Sequence, residues 1–269
     1  MNSATFRSMV MRYYRRHGRH DLPWRKRINP YRVLVSEIML QQTQVPRVIE
    51  KYRAFLRAFP TFRALAGAST ADVLKVWQGL GYNRRALMLQ RCAQVIVREQ
   101  SGALPADYDA LRRLPGIGPY TAGAVLAFAF DAPRPVIETN IRRVYLHHFF
   151  PGRTNVGDDE ILPLVTWDVA RVVSAREWYG ALMDYGTHLA GMVENPNRRS
   201  RRYVRQSSFT GSMRQIRGEV IRFLIERKNV TAAALTRRIR DPRLADALGA
   251  LEREGFIART GGRLMLAGE

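Results

Sequence analysis

Residues 114–126 read LPGIGPYTAGAVL, and this stretch decides the fold. A helix ends at Leu114, two glycines interrupt the pattern, and Pro119 stands where a first helical turn tolerates a missing N–H. Gly116 and Gly118 are expected to let the backbone adopt positive φ and to keep side chains away from an approaching ligand. The new helix opens with backbone N–H groups that have no carbonyl one turn back, which suits an anion. Thr121, in the same turn, joins Gly116 and Gly118 as a candidate phosphate-binding residue. The pattern is a helix-hairpin-helix; an ordinary tight helical turn is the plainer alternative.

Charge indicates which anion. The 269 residues carry 44 Lys and Arg against 23 Asp and Glu, a formal net charge of +21. Such an excess repels itself unless a polyanion neutralises it, and nucleic acid is the expected partner. A high-GC coding bias explains arginine over lysine but not the shortage of acids. A hydrophobic content of 46% describes a soluble globular chain. No run approaches the roughly 18 apolar residues of a membrane span. The basic N-terminus lacks an apolar signal segment, so a cytoplasmic location and no membrane partner are expected. The single cysteine, Cys92, excludes a disulfide framework, a Cys-rich zinc site and a Cys-ligated iron–sulfur cluster. His17, His20, His147, His148 and His188 form no metal-binding spacing, so neither metal nor cofactor is expected.

The rest reads as helix after helix, over 31–42, 46–59, 70–79, 83–99, 107–114, 119–130, 138–148, 158–173 and 176–190. Between 191 and 212 the pattern breaks into a basic linker or arm holding Arg198, Arg199, Arg201, Arg202 and Arg205. Helices over 213–227, 231–239 and 242–254 follow. Two short strands around Gly261-Gly262 then complete a winged-helix pattern in 213–269.

Two further stretches carry carboxylates in unusual places. SEIMLQQTQV (36–45) sets Glu37 among apolar residues and then crowds the helix end with Gln41, Gln42, Thr43 and Gln44. VIETNIRRV (136–144) places Glu138 at a helix start. Cleaving a glycosidic bond needs a proton for the leaving group and a negative charge facing the sugar. A desolvated Glu37 suits the first task, and Glu138 beside helix N–H groups should stay ionised for the second. A buried ion pair for Glu37 and a plain capping role for Glu138 are the alternatives. Trp24, Trp77 and Trp178 read as packing.

With these stretches, LPWRKRINPYRVLVSEIMLQQTQV, VWQGLGYNRRALML and EWYGALMDYG are similar, in order and spacing, to the helix-hairpin-helix DNA glycosylases of the endonuclease III and MutY superfamily, nearest the MutY branch. The resemblance covers about residues 20–190. It implies an all-α fold of two helical subdomains, one over about 30–133 with its hairpin at 114–118, the other from 1–29 with 134–190. It implies double-stranded DNA with a mismatched or damaged base as partner, and a base flipped into the site.

By the same resemblance Glu37 protonates the base and Glu138 stabilises or attacks the sugar cation. Tyr120 stands near the sugar where lyase members carry lysine, implying a monofunctional enzyme without an efficient Schiff-base step. Gln41 is the wedge into the base stack, with Gln42 and Thr43 beside it. Tyr82 meets the opposite strand, Arg84 and Arg85 meet phosphates, and Asn140 orients the Glu138 turn. Glu138 stands where the family usually has Asp. The cluster-binding loop is replaced by ENPNRRSRRYVRQSSF (194–209), whose Arg198, Arg199, Arg201 and Arg202 suit phosphates. The C-terminal segment is unlike the family's. The leading reading is excision of adenine opposite 8-oxoguanine or guanine. Excision of uracil or thymine opposite guanine is the second, and a DNA-binding regulator without catalysis the third.

Overall fold

The computed structural model describes residues 2–205 and 208–268. Met1, Gln206, Ser207 and Glu269, which fall in the expected domains and arm, lie outside the described residues. The chain runs through α1 (Ser3–His17), α2 (Pro23–Lys26), α3 (Pro30–Leu40), α4 (Val45–Ala58), α5 (Phe62–Ala66), α6 (Thr70–Trp77) and α7 (Arg84–Glu99). The helices α8 (Tyr108–Arg113) and α9 (Pro119–Phe130) flank the glycine hairpin. They are followed by α10 (Thr139–Phe149), α11 (Asp158–Val169) and α12 (Ala175–Met192). After a 3-10 turn at Pro196–Arg199 come α13 (Met213–Arg227), β1 (Val230–Thr231), α14 (Ala232–Arg238), α15 (Leu244–Arg253), β2 (Ile257–Thr260) and β3 (Arg263–Leu266).

Two compact units emerge. One comprises residues 1–37, 105–113 and 117–205; the other 38–104, 114–116 and 206–269. In the first, α9 is apolar on every side, and Thr121 through Ala127 are all buried. A helix of this kind belongs in an interior. Around its chain neighbours, Phe6, Val10, Val144, Tyr145, Trp178 and Leu182 form one core. The family resemblance groups α9 with residues 30–133, whereas α9 falls in the same unit as α10 and α12 and shares their core. Small side chains at Ala124 and Ala127 allow that close packing.

In the second unit, Phe55, Leu65, Trp77, Cys92 and Ile96 are buried to completion. The C-terminal segment of the same unit is a winged helix. Its strands pair antiparallel in the order β1-β3-β2, with Ile257 opposite Leu266 and Val230 opposite Leu264. The two-residue β1 escapes the sequence reading because it is too short for alternation to register. Trp24, Trp77 and Trp178 are packed inside, as expected. No helix of the described residues is long and apolar enough to cross a membrane.

The 191–212 segment differs from a free arm. Pro196, Asn197 and Ser200 are buried, and Val156 forms a parallel bridge with Ser200. The Asn197 amide donates to the Thr139 carbonyl at 3.0 Å, and Arg199 donates to the Leu146 and Phe150 carbonyls at 3.0 and 2.7 Å. Arg199 thereby satisfies carbonyls at the end of α10, which the helix cannot pair itself.

Candidate active site

α3 carries Val33, Leu34, Val35, Ile38 and Met39 into the interior, and Glu37 goes in with them at 7% exposure. Tyr120, in the first turn of α9, donates its hydroxyl to Glu37 Oε2 at 3.2 Å. Burial raises the Glu37 pKa from its usual 4.5 to about 7; the Tyr120 bond lowers it, nearby Glu138 raises it, and Arg25 lowers it. Burial, aided by the Glu37 and Glu138 carboxylates, likewise holds the Tyr120 phenol well above its usual range. A carboxyl poised between charged and neutral near physiological pH is the property a general acid needs.

Glu138 caps α10. Its Oε1 accepts from the Asn140 and Ile141 N–H groups at 2.6 and 2.9 Å, while its Oε2 faces the Asn140 amide at 3.4 Å. The helix N-terminus is thus where the sequence puts it, and its N–H groups favour the ionised form. Burial outweighs those N–H groups and the nearby Arg143 and Arg142, so the Glu138 pKa is displaced upward rather than held low. Glu138 as a whole is half-buried.

Behind it, Arg143 donates to Asn140 Oδ1 at 2.6 Å and to the Gly186 carbonyl at 2.8 Å. A Cβ at Gly186 would fall 2.5 Å from the Asn140 carbonyl oxygen, so glycine lets α12 close onto the turn that aims Glu138. Arg143 and Gly186 were not read as site residues from the sequence. The signal lay in the i, i+3 spacing of Asn140 and Arg143.

At the hairpin, only Gly116 takes positive φ, at 76°, and a Cβ there would strike Met88 at 2.7 Å. Gly118 is extended, with φ −81°, contrary to the expectation for both glycines. Its virtual Cβ meets nothing within 4 Å, which leaves room for a close ligand rather than meeting a demand of the fold. Thr121 is buried.

Of the remaining candidates, Gln41, Gln42, Thr43, Tyr82, Arg84 and Arg85 belong to the second unit, and Arg198, Arg199, Arg201 and Arg202 to the first. α3 stops at Leu40, and Gln42 takes φ 54°, an uncommon conformation for a residue with a side chain. Tyr82 is also left-handed, at 46°. One residue ties these turns together. Arg85 donates to the carbonyls of Ile38, Met39 and Gln41 at 2.8, 2.9 and 2.6 Å. Its other terminal nitrogen reaches Thr43 Oγ1, Leu80 O and Gly81 O at 3.0, 3.2 and 3.1 Å. Arg85 was expected to meet phosphate and instead serves as an internal clamp; burial lowers its pKa to about 10. Arg84 is exposed. Arg198 pairs with Glu194 at 2.9 Å, while Arg201 and Arg202 stand 3.7 and 3.3 Å from Asp159 and Asp158 with their side chains largely in solvent.

The cluster of family relatives does not fit these residues. A Cys-ligated iron–sulfur cluster needs several thiolates. Here the one cysteine is buried, its thiol pushed up to about 12 by that burial, and the segment after α12 is filled by Asn197 and Arg199. Among the described residues no group of three or more His, Cys, Asp or Glu could hold a metal.

An acid with a raised pKa and a second carboxylate on a helix cap thus lie in one unit, with the glycine hairpin between them in chain order. Residues 35–161 match the model of the HhH-GPD superfamily base excision DNA repair proteins. The chain is 36% identical over 297 aligned positions to an adenine DNA glycosylase of Mycobacterium tuberculosis (strain CDC 1551 / Oshkosh), covering 97% of this chain and 93% of that one. It is 41% identical to a thymine/uracil-DNA glycosylase of Pyrobaculum aerophilum over 52% of this chain and 61% of that protein. The solved structure of a thermostable thymine-DNA glycosylase superposes with a TM-score of 0.61 at 25% identity, covering 68% of this chain and 85% of that one. The chain belongs to the HhH-GPD superfamily and is a DNA glycosylase.

Proposed function

We propose that this glycosylase is monofunctional and excises adenine mispaired with 8-oxoguanine or guanine, without a cofactor. The observation that carries the reading is the buried Glu37 with its pKa at about 7, hydrogen-bonded to Tyr120. A purine leaves readily only when a ring nitrogen is protonated, and a half-ionised acid is matched to that transfer at neutral pH. The glycosidic bond breaks with its electron pair on the base, which the Glu37 proton neutralises. Glu138 opposes the positive charge left on the sugar. Water then adds to the anomeric carbon and gives up a proton to a carboxylate of the site or to solvent, leaving an abasic site. Tyr120 offers no amine for a Schiff base, so the strand is not cut by that route.

The extended similarity to the mycobacterial adenine DNA glycosylase supports adenine as the base. A second reading, excision of thymine or uracil opposite guanine, is favoured by the Pyrobaculum relative and the thymine-DNA glycosylase structure. Duplexes bearing A opposite 8-oxoguanine, A opposite G, T opposite G and U opposite G, treated with the protein and then alkali, separate the two. Cleavage of the adenine strands alone is expected. Cleavage confined to the T and U strands would replace the first reading with the second.

A further inference from the structure

We infer that Arg214, on the first helix of the winged-helix segment, is a positioning residue for lesion engagement that acts through Tyr82. The inference rests on the glycosylase reading for what Tyr82 meets. Arg214 donates to the Tyr82 hydroxyl at 2.5 Å and lies 5.5 Å from the centroid of its ring. Arg85 lies 5.6 Å from the same ring. Tyr82 is therefore held by two guanidiniums, one from the clamp of the Gln41–Thr43 turn and one from α13.

Its backbone needs such holding. A bulky residue at φ 46° occupies a strained region, and Gly79 and Gly81 on either side of Leu80 are left-handed too. Left to itself this turn would relax toward other conformations. A Tyr ring that relaxes cannot be presented in one place to a distorted duplex.

The winged helix is well placed to impose that conformation, because it is anchored to the same unit. Arg91 of α7 donates to the Glu254 carbonyl at 3.2 Å, and inside the winged helix Arg217 on α13 holds the same Glu254 by a two-point ion pair at 2.8 Å on both sides. Arg214 also donates to the Ser208 carbonyl at 3.3 Å, so the connector entering α13 shares the contact. Meanwhile α15, which holds Asp246 and Glu252 and is capped by Glu254, is a poor candidate for gripping DNA itself. Arg214 acts on DNA binding by way of the Tyr82 turn.

A double-mutant cycle tests this. Wild type, Arg214→Met, Arg214→Lys, Tyr82→Phe and the Arg214→Met/Tyr82→Phe pair are titrated against a matched duplex and a duplex with a tetrahydrofuran abasic site, at several salt concentrations. Arg214→Met and Tyr82→Phe, each of which removes the bond, are each expected to weaken abasic-duplex binding roughly tenfold, the size of one charged hydrogen bond. The pair should be no weaker than either single change. Arg214→Lys should recover part of the loss, and matched-duplex binding and its salt slope should stay near wild type. Additive losses, or an equal loss on both duplexes with a salt slope smaller by about one, would make Arg214 a phosphate contact and overturn the inference. Unchanged binding in every variant would also overturn it. If Arg214→Met does not fold, Arg214→Lys and Tyr82→Phe, singly and combined, complete the same cycle. Because the readout is binding, its failure is distinct from failure of the adenine assignment, which the excision panel measures on wild type.

Discussion

The Tyr120 hydroxyl donates to Glu37 Oε2 at 3.2 Å, and it opposes the burial that lifts the Glu37 pKa to about 7. A bond to the charged form favours that form, so its loss moves the carboxyl further up. Tyr120→Phe should therefore carry the alkaline limb of the single-turnover pH profile to higher pH, because Glu37 keeps its proton longer. A limb that stays in place, or moves down, would separate Tyr120 from the acid.

Glu37 also makes a stability prediction. The folded state holds a proton on Glu37 in a window where the unfolded chain has lost it, between about pH 4.5 and 7. The unfolded state binds fewer protons there, so stability falls as pH rises. The displacement corresponds to about 3 kcal/mol at its full extent. Glu37→Gln removes this dependence. Its melting temperature should exceed that of wild type at about pH 8 and come close to it at about pH 5. Excision should drop at least roughly a hundredfold at both, the usual size of a lost general acid. Equal melting shifts at the two pH values would contradict a buried, neutral Glu37.

Much of this site was legible beforehand. An acid inside VLVSEIML and an acid opening VIETNIRRV announce themselves through residue type against background. What the sequence could not show is competition among interactions at one atom. Glu138 has the expected N–H partners, yet burial by other segments displaces its pKa upward. Arg85 looks like any basic residue at a helix start, and only the carbonyls of Ile38, Met39 and Gln41, far away in sequence, reveal its role. The grouping of α9 with α10 and α12 escaped for the same reason: a helix apolar all round carries no mark of which neighbours surround it.

Glu138 separates geometry from charge. In Glu138→Gln the side-chain carbonyl can still accept from the Asn140 and Ile141 N–H groups, which the carboxylate meets at 2.6 and 2.9 Å. Folding and DNA affinity should survive, while single-turnover excision falls by roughly a hundredfold or more because the sugar cation loses its counter-charge. Glu138→Asp keeps the charge on a side chain one methylene shorter, and its rate shows whether reach or charge governs the step. Full activity in the Gln variant would leave Glu138 only a helix cap.

Gly186→Ala tests the packing behind that cap. The added methyl would sit 2.5 Å from a backbone oxygen of Asn140, which cannot swing aside as a side chain would. Overpacking of this kind costs about 1–3 kcal/mol. A lowered melting temperature should come with slower excision, since the same displacement moves the turn carrying Glu138. A variant with wild-type stability would show that α12 is free to back away.

Arg84 and Arg85, adjacent in sequence, should respond in opposite ways. Arg85 is turned inward onto five carbonyls and the Thr43 hydroxyl, and Arg84 is exposed. Removing Arg85 leaves buried acceptors without a donor, at about 1–3 kcal/mol for each group that water cannot reach. Arg85→Met should therefore lower the melting temperature sharply and weaken all DNA binding only as far as the Gln41–Thr43 and Tyr82 turns loosen, with the salt slope intact. Arg84→Met should leave melting unchanged and reduce the salt slope by about one, as expected for a single phosphate contact. Thermal melting and salt-dependent titration of the two variants side by side distinguish clamp from contact, and the reverse pattern would exchange their roles.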